Sequence, residues 1–156
     1  MTREENGNIC FFDNVQTVKD LEAVNTSAWL HFFNAVLDMG MFDYIVVDFS
    51  TELSHSVLEI LSLCKKIIVP VLDERVSMLK IESLFRNLDR MELNRITQQI
   101  IVVLNKYHQS AGKSFFVHSE LGIKAWLPYE NLHVFERDYN MSNAFLNELV
   151  KIKDMI

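Results

Sequence analysis

The stretch Phe42-Asp43-Tyr44-Ile45-Val46-Val47-Asp48-Phe49-Ser50 decides the reading of the fold. Ile45, Val46 and Val47 form an unbroken β-branched run. Such a run, without polar alternation, suits a parallel strand covered on both faces. Asp48 then leaves the apolar run and enters a polar turn at Ser50-Thr51-Glu52. In open α/β sheets, ligands gather beyond the carboxyl ends of the strands. Asp48 therefore has two readings, a carboxylate with chemistry to perform or a cap for the following turn.

Further strands and helices are legible on either side of it. Asn8-Ile9-Cys10-Phe11-Phe12 is a short strand candidate, and the residues before it read as solvated and frayed. Residues 15–24 form a short helix candidate. A clearer helix spans 26–39, capped by Thr26 or Ser27 and stopped at Gly40. Its Trp29, Phe32, Phe33, Val36 and Leu37 recur at helical spacing and read most simply as core. Ser54 caps a helix holding Val57, Leu58, Ile60 and Leu61.

Ile67-Ile68-Val69-Pro70-Val71 is a second buried strand, with Pro70 expected near its end because it lacks an amide donor. Asp73 and Glu74 favour the start of a helix over 75–91, with Val76, Leu79, Leu84, Leu88 and Met91 as its buried stripe. A third strand covers 99–104 and ends at Asn105-Lys106-Tyr107. A short amphipathic segment over 113–121 follows, then a strand over 124–127 closed by Pro128-Tyr129. Ser142 caps a last helix with Phe145, Leu146, Leu149 and Val150 turned inward. The alternation predicts one α/β domain over 1–156, a three-layer sandwich with a mostly parallel sheet and helices on both faces.

Composition sets limits on function. At 49% hydrophobic and 23% charged residues the chain should fold rather than stay disordered. Its net charge of −6 argues against a nonspecific grip on nucleic acid, which depends on Lys and Arg neutralising phosphates. Cys10 and Cys64 lack metal-ligand spacing and read as reduced thiols of a cytoplasmic protein. No apolar run reaches the length of a membrane span, and the first residues lack the apolar centre of a signal peptide.

Three motifs carry chemistry only in part. Gly112-Lys113-Ser114 follows a strand, but a phosphate loop needs an earlier glycine, and Tyr107 stands there. Asp13, Asp48 and Lys106 resemble the acid pair and lysine of receiver domains, but Asp48 follows the second strand of the series rather than the third. His31, His55, His108, His118 and His133 share no zinc-ligand spacing, and no serine lies in a nucleophile elbow.

The ordered set Phe42–Asp48, Ile67–Val71, Ile101-Val102-Val103-Leu104-Asn105-Lys106 and Leu127-Pro128-Tyr129-Glu130 resembles the carboxyl-terminal part of a MinD/ParA-type P-loop ATPase. The nearest flavour is the CpaE/TadZ-like branch, linked to pilus or secretion assembly and protein positioning. The resemblance covers about residues 42–152. It implies that Asp48 matches the Walker B aspartate, which holds Mg²⁺ through water. Asn105 would read the adenine edge, and Pro128 and Tyr129 would line the adenine pocket. The parent protein would bind ATP with Mg²⁺ and act with a protein partner or as a homodimer.

The family's phosphate loop precedes all these segments, and this chain holds none. Without its amides and lysine, the terminal phosphates lack their electrostatic partners. Little or no hydrolysis by the isolated chain is the expectation. A non-catalytic interaction module of the same fold is the alternative, and a receiver-like phosphoacceptor a further one. A truncated sheet could also expose its first strand to pairing with another chain.

Overall fold

The computed structural model describes residues 2–3, 10–11, 24–49, 53–108, 114–116, 121–130 and 141–156. The chain divides into two compact units, residues 1–60 and 61–156.

In the first unit, β1 (Thr2–Arg3) pairs antiparallel with β2 (Cys10–Phe11). Thr2 and Arg3 are thus tied into a ladder rather than frayed, because the expected strand around Cys10 finds its partner there. Helix α1 (Thr26–Asp38) is capped by Asn25, one residue before the earlier of its two expected caps. Asn25 Oδ1 accepts the Ala28 N–H at 2.9 Å, so the amide side chain takes the capping role. Gly40 stops the helix with φ +58°, the left-handed geometry that glycine adopts without a Cβ clash. Of the aromatic stripe only Val36 is buried, and Leu37 is 55% exposed. The rings pack on one another instead, with Trp29 stacked on Phe33 at 5.9 Å and Phe32 edge-on to Phe33 at 5.3 Å.

The stretch 42–49 departs most from expectation. It belongs to no strand among the described residues. Ile45, Val47 and Phe49 are half-buried, but Val46 is 92% exposed. An apolar run cannot become a two-faced strand without neighbours to pair and cover it, and no ladder forms here among the described residues. Helix α2 (His55–Leu63) follows, its start capped as expected by Ser54 Oγ accepting the Val57 N–H at 3.3 Å. The Thr26 and Ser56 hydroxyls also hydrogen-bond, at 2.5 Å.

The second unit is a small α/β fold. β3 (Ile67–Leu72), β4 (Ile100–Tyr107) and β5 (Ala125–Pro128) form a parallel sheet in that order. β4 is central, and its Ile101 to Leu104 run is buried throughout, which is why it reads as unbroken Ile and Val. Alternate residues of that run face opposite layers. Val102 and Leu104 join Val71, Phe116 and Ile81 of α3 (Arg75–Arg90). Ile101 and Val103 join Ala125 and Ile152 of α5 (Asn143–Asp154). This sheet therefore carries a helix on each face. Between α3 and β4 lies one short helix, α4 (Asn94–Gln99), which buries Ile96.

Two helices keep only part of the stripe their spacing suggests, Leu84 and Leu88 in one and the half-buried Phe145 in the other. In α3 the inward residues are Met78, Ile81, Leu84, Phe85 and Leu88, whereas Val76, Leu79 and Met91 are more than half exposed. In α5 Leu146, Leu149 and Val150 face outward, and Ile152, Met155 and Ile156 pack on the sheet. Both helices carry more apolar residues than one stripe can hold, and the sheet takes the stripe that fits its own rows. Pro70 lies inside β3 rather than at its end, which an edge strand tolerates.

Candidate functional site

The carboxyl ends of β3, β4 and β5 lie at one end of the sheet, because all three strands run parallel. Register places Leu72 beside Asn105 and Tyr107 beside Pro128. Asn105, Pro128 and Tyr129, singled out on sequence, are thus brought to the same end of neighbouring strands.

Local backbone geometry makes this possible. β4 extends three residues beyond its expected end. Its register with β5 shifts between Leu104 and Tyr107. Within that irregularity Lys106 adopts φ +55°, which is uncommon for a residue with a side chain. Asn105 Oδ1 accepts the Lys106 N–H at 2.9 Å and supports the turn. Tyr107 then rejoins the ladder, and its carbonyl accepts the Tyr129 N–H at 2.9 Å. Left-handed backbone at a residue that bears a Cβ persists only where its surroundings fix it, and such positions concentrate at functional sites.

Two aromatic pairs lie toward this end of the sheet. His108 stacks on Tyr129 with centroids 4.6 Å apart and planes 24° from parallel. Tyr107 meets Trp126 edge-on at 5.0 Å. Asn105 is half-buried. Its amide nitrogen offers two donors, and its oxygen keeps a lone pair beyond the one used by Lys106. A planar heteroaromatic ring presents the complementary features, a stacking face and an edge of donors and acceptors.

Two carboxylates at this end are already engaged. Asp73 Oδ1 accepts the buried Ser114 hydroxyl at 2.8 Å and the Phe115 N–H at 3.0 Å, clasping that loop to the end of β3. The Ser114 oxygen in turn accepts the Phe116 N–H at 3.1 Å. Glu130 accepts a hydrogen bond from Ser142, the cap of α5. Ser114 is thus a structural anchor, while Gly112 and Lys113 of that motif lie outside the described residues. Sequence reasoning missed the roles of Asp73 and His108. The only signal for either was position, each standing just after a strand.

Asp48 belongs to the first unit, where it is an exposed residue of the run 42–49. Asp13, the second acid of the receiver-like reading, lies outside the described residues, as do His118 and His133. Among the described residues no group of three or more His, Cys, Asp or Glu side chains is placed to hold a metal ion. No described helix is long and apolar enough to cross a membrane.

No family model matches this chain, and neither does any curated protein or solved structure.

Proposed function

We propose that this chain is a nucleotide-binding domain of the MinD/ParA/CpaE-like ATPase type, with little or no hydrolysis of its own. Its role in the cell would be cytoplasmic, through a protein partner or a homodimer, in protein positioning or in pilus or secretion assembly. One observation carries the reading. Asn105 and the Pro128-Tyr129 pair stand at the carboxyl ends of adjacent parallel strands, where a base-reading amide and a stacking ring need to be.

The residues fit the two ends of ATP unequally. Asn105 supplies donors and an acceptor for an adenine edge, and Tyr129 supplies a ring face. Nothing comparable is present for the phosphates, because the sequence lacks a glycine-rich loop whose amides could wrap them. Asp48 is the residue that would hold Mg²⁺ through water, but one exposed carboxylate is a weak site alone. Binding without turnover follows, with the base supplying most of the recognition.

Thermal unfolding with ATP, with adenosine and with neither tests the reading. A ligand at a hundred times its dissociation constant stabilises by about 2.7 kcal/mol. Adenosine and ATP should raise the melting temperature alike, and Asn105→Ala should remove both shifts. No shift at millimolar nucleotide would overturn the proposal. The interaction-module reading would then stand in its place, favoured by the exposed apolar Tyr44 and Val46.

A further inference from the structure

Residues 42–49 have no helical or strand conformation, bend at Asp43, and join no sheet among the described residues. Burial alternates along them, with Ile45, Val47 and Phe49 half-buried and Tyr44, Val46 and Asp48 exposed. That is the period-two pattern of a strand with one face covered. Yet none of these residues hydrogen-bonds to another described residue. A β-branched run whose N–H and C=O groups meet no partner among the described residues offers a template for an incoming strand.

Two outer strands among the described residues are treated differently. In β3, Pro70 removes one amide donor from an edge strand. On β5, the Trp126 N–H is taken by Glu148 Oε2 at 3.0 Å instead of by a further strand. Proline and inserted charges are the usual means of blunting an edge. Residues 42–49 contain no proline and no lysine.

We propose that residues 42–49 are a docking strand for an extended segment of a partner polypeptide, rich in β-branched residues and flanked by Lys or Arg. Main-chain hydrogen bonds give the affinity, and the partner's alternate side chains cover Tyr44 and Val46. The charge of the partner follows from the charge of the unit. Residues 1–60 carry ten acidic side chains against two basic ones, Arg3 and Lys19, a net of −8, whereas residues 61–156 carry eleven against thirteen, a net of +2. Asp43 and Asp48 stand exposed near the two ends of the run. A second copy would set one −8 unit against another, and like charges facing each other oppose association. A basic segment meets complementary charge at both ends.

The test uses the whole chain and a synthetic peptide of alternating Thr and Val with two lysines at each end. The same peptide with glutamates in place of the lysines is the control. Amide hydrogen exchange is read at residues 44–48, and binding by fluorescence anisotropy. The basic peptide should slow exchange there by at least about tenfold at saturation. Its affinity should fall with added salt, and the acidic control should not bind. Val46→Pro and Val47→Pro remove donors on opposite edges of the run, and at least one should abolish binding with circular dichroism unchanged. No protection at millimolar basic peptide would overturn the proposal, as would amides already protected in the free monomer. A concentration-dependent dimer, seen by light scattering and lost in either proline variant, would overturn it in favour of a second copy.

Discussion

A single side chain can both close a sheet edge and set a pH dependence, and Glu148 is placed to do both. Burial raises its carboxyl, but the hydrogen bond from Lys151, the Trp126 N–H and the Lys151 charge together bring it below the ordinary glutamate value. A carboxyl lowered on folding stabilises the native state above its unfolded value and loses that contribution as pH falls. The unfolded reference is about 4.3. Wild-type protein should therefore exceed Glu148→Gln in stability at neutral pH, and the gap should close as pH drops below about 4. Urea unfolding midpoints measured from neutral pH to pH 3 check this, and a gap constant with pH would show that the carboxylate's charge contributes nothing. At this scale the position of Asn105, Pro128 and Tyr129 at strand ends was legible, because each directly follows or ends an apolar run. The sequence did not show Glu148, because a contact between a helix and a strand 22 residues away leaves no local pattern.

Strands and helices were legible where local signals agree. Ile67–Leu72 and Ile100–Tyr107 are strands where β-branched runs predict them, and α3 and α5 begin within a residue of their expected starts. Which face of a helix turns inward was less legible. The choice between Leu79 and Ile81, or between Val150 and Ile152, depends on the sheet rows they meet and not on spacing alone. Caps are local and therefore readable. Ser142 Oγ accepts the Phe145 N–H at 3.2 Å and also donates to Glu130, joining the start of α5 to the end of β5. Ser142→Ala should destabilise the protein by about 1 kcal/mol, within the range for a lost N-cap. Ser142→Asp should restore most of the cap, since its carboxylate also accepts backbone amides, although it places a second negative charge beside Glu130. Denaturant midpoints of the two variants separate loss of the cap from loss of the Glu130 contact.

For the whole molecule the question is which apolar run carries the stability, and sequence and structure answer it differently. By composition, Ile45-Val46-Val47 and Ile101-Val102-Val103 look equivalent. The second lies between two ladder partners and two helix-bearing layers, and Leu104 at its end is 0% exposed. The first has no ladder partner among the described residues, and Val46 is 92% exposed. Burial is decided by neighbours, which a run of residues does not encode, so the two could not be told apart until the pairing was known. The energetic consequence is large. Leu104→Ala removes a fully buried side chain and should cost roughly 2–5 kcal/mol. Val46→Ala removes little buried surface and should fall within about 0.5 kcal/mol of wild type. Urea unfolding of the two variants decides the matter. A loss at Val46 comparable to that at Leu104 would mean that the stretch 42–49 is a covered core strand in solution. A silent Val46 would leave its side chain as free surface, which is what a docking strand requires. Repeating the Val46→Ala measurement with the bound basic peptide should then convert the silent position into a sensitive one, because the partner's side chains cover it only in the complex.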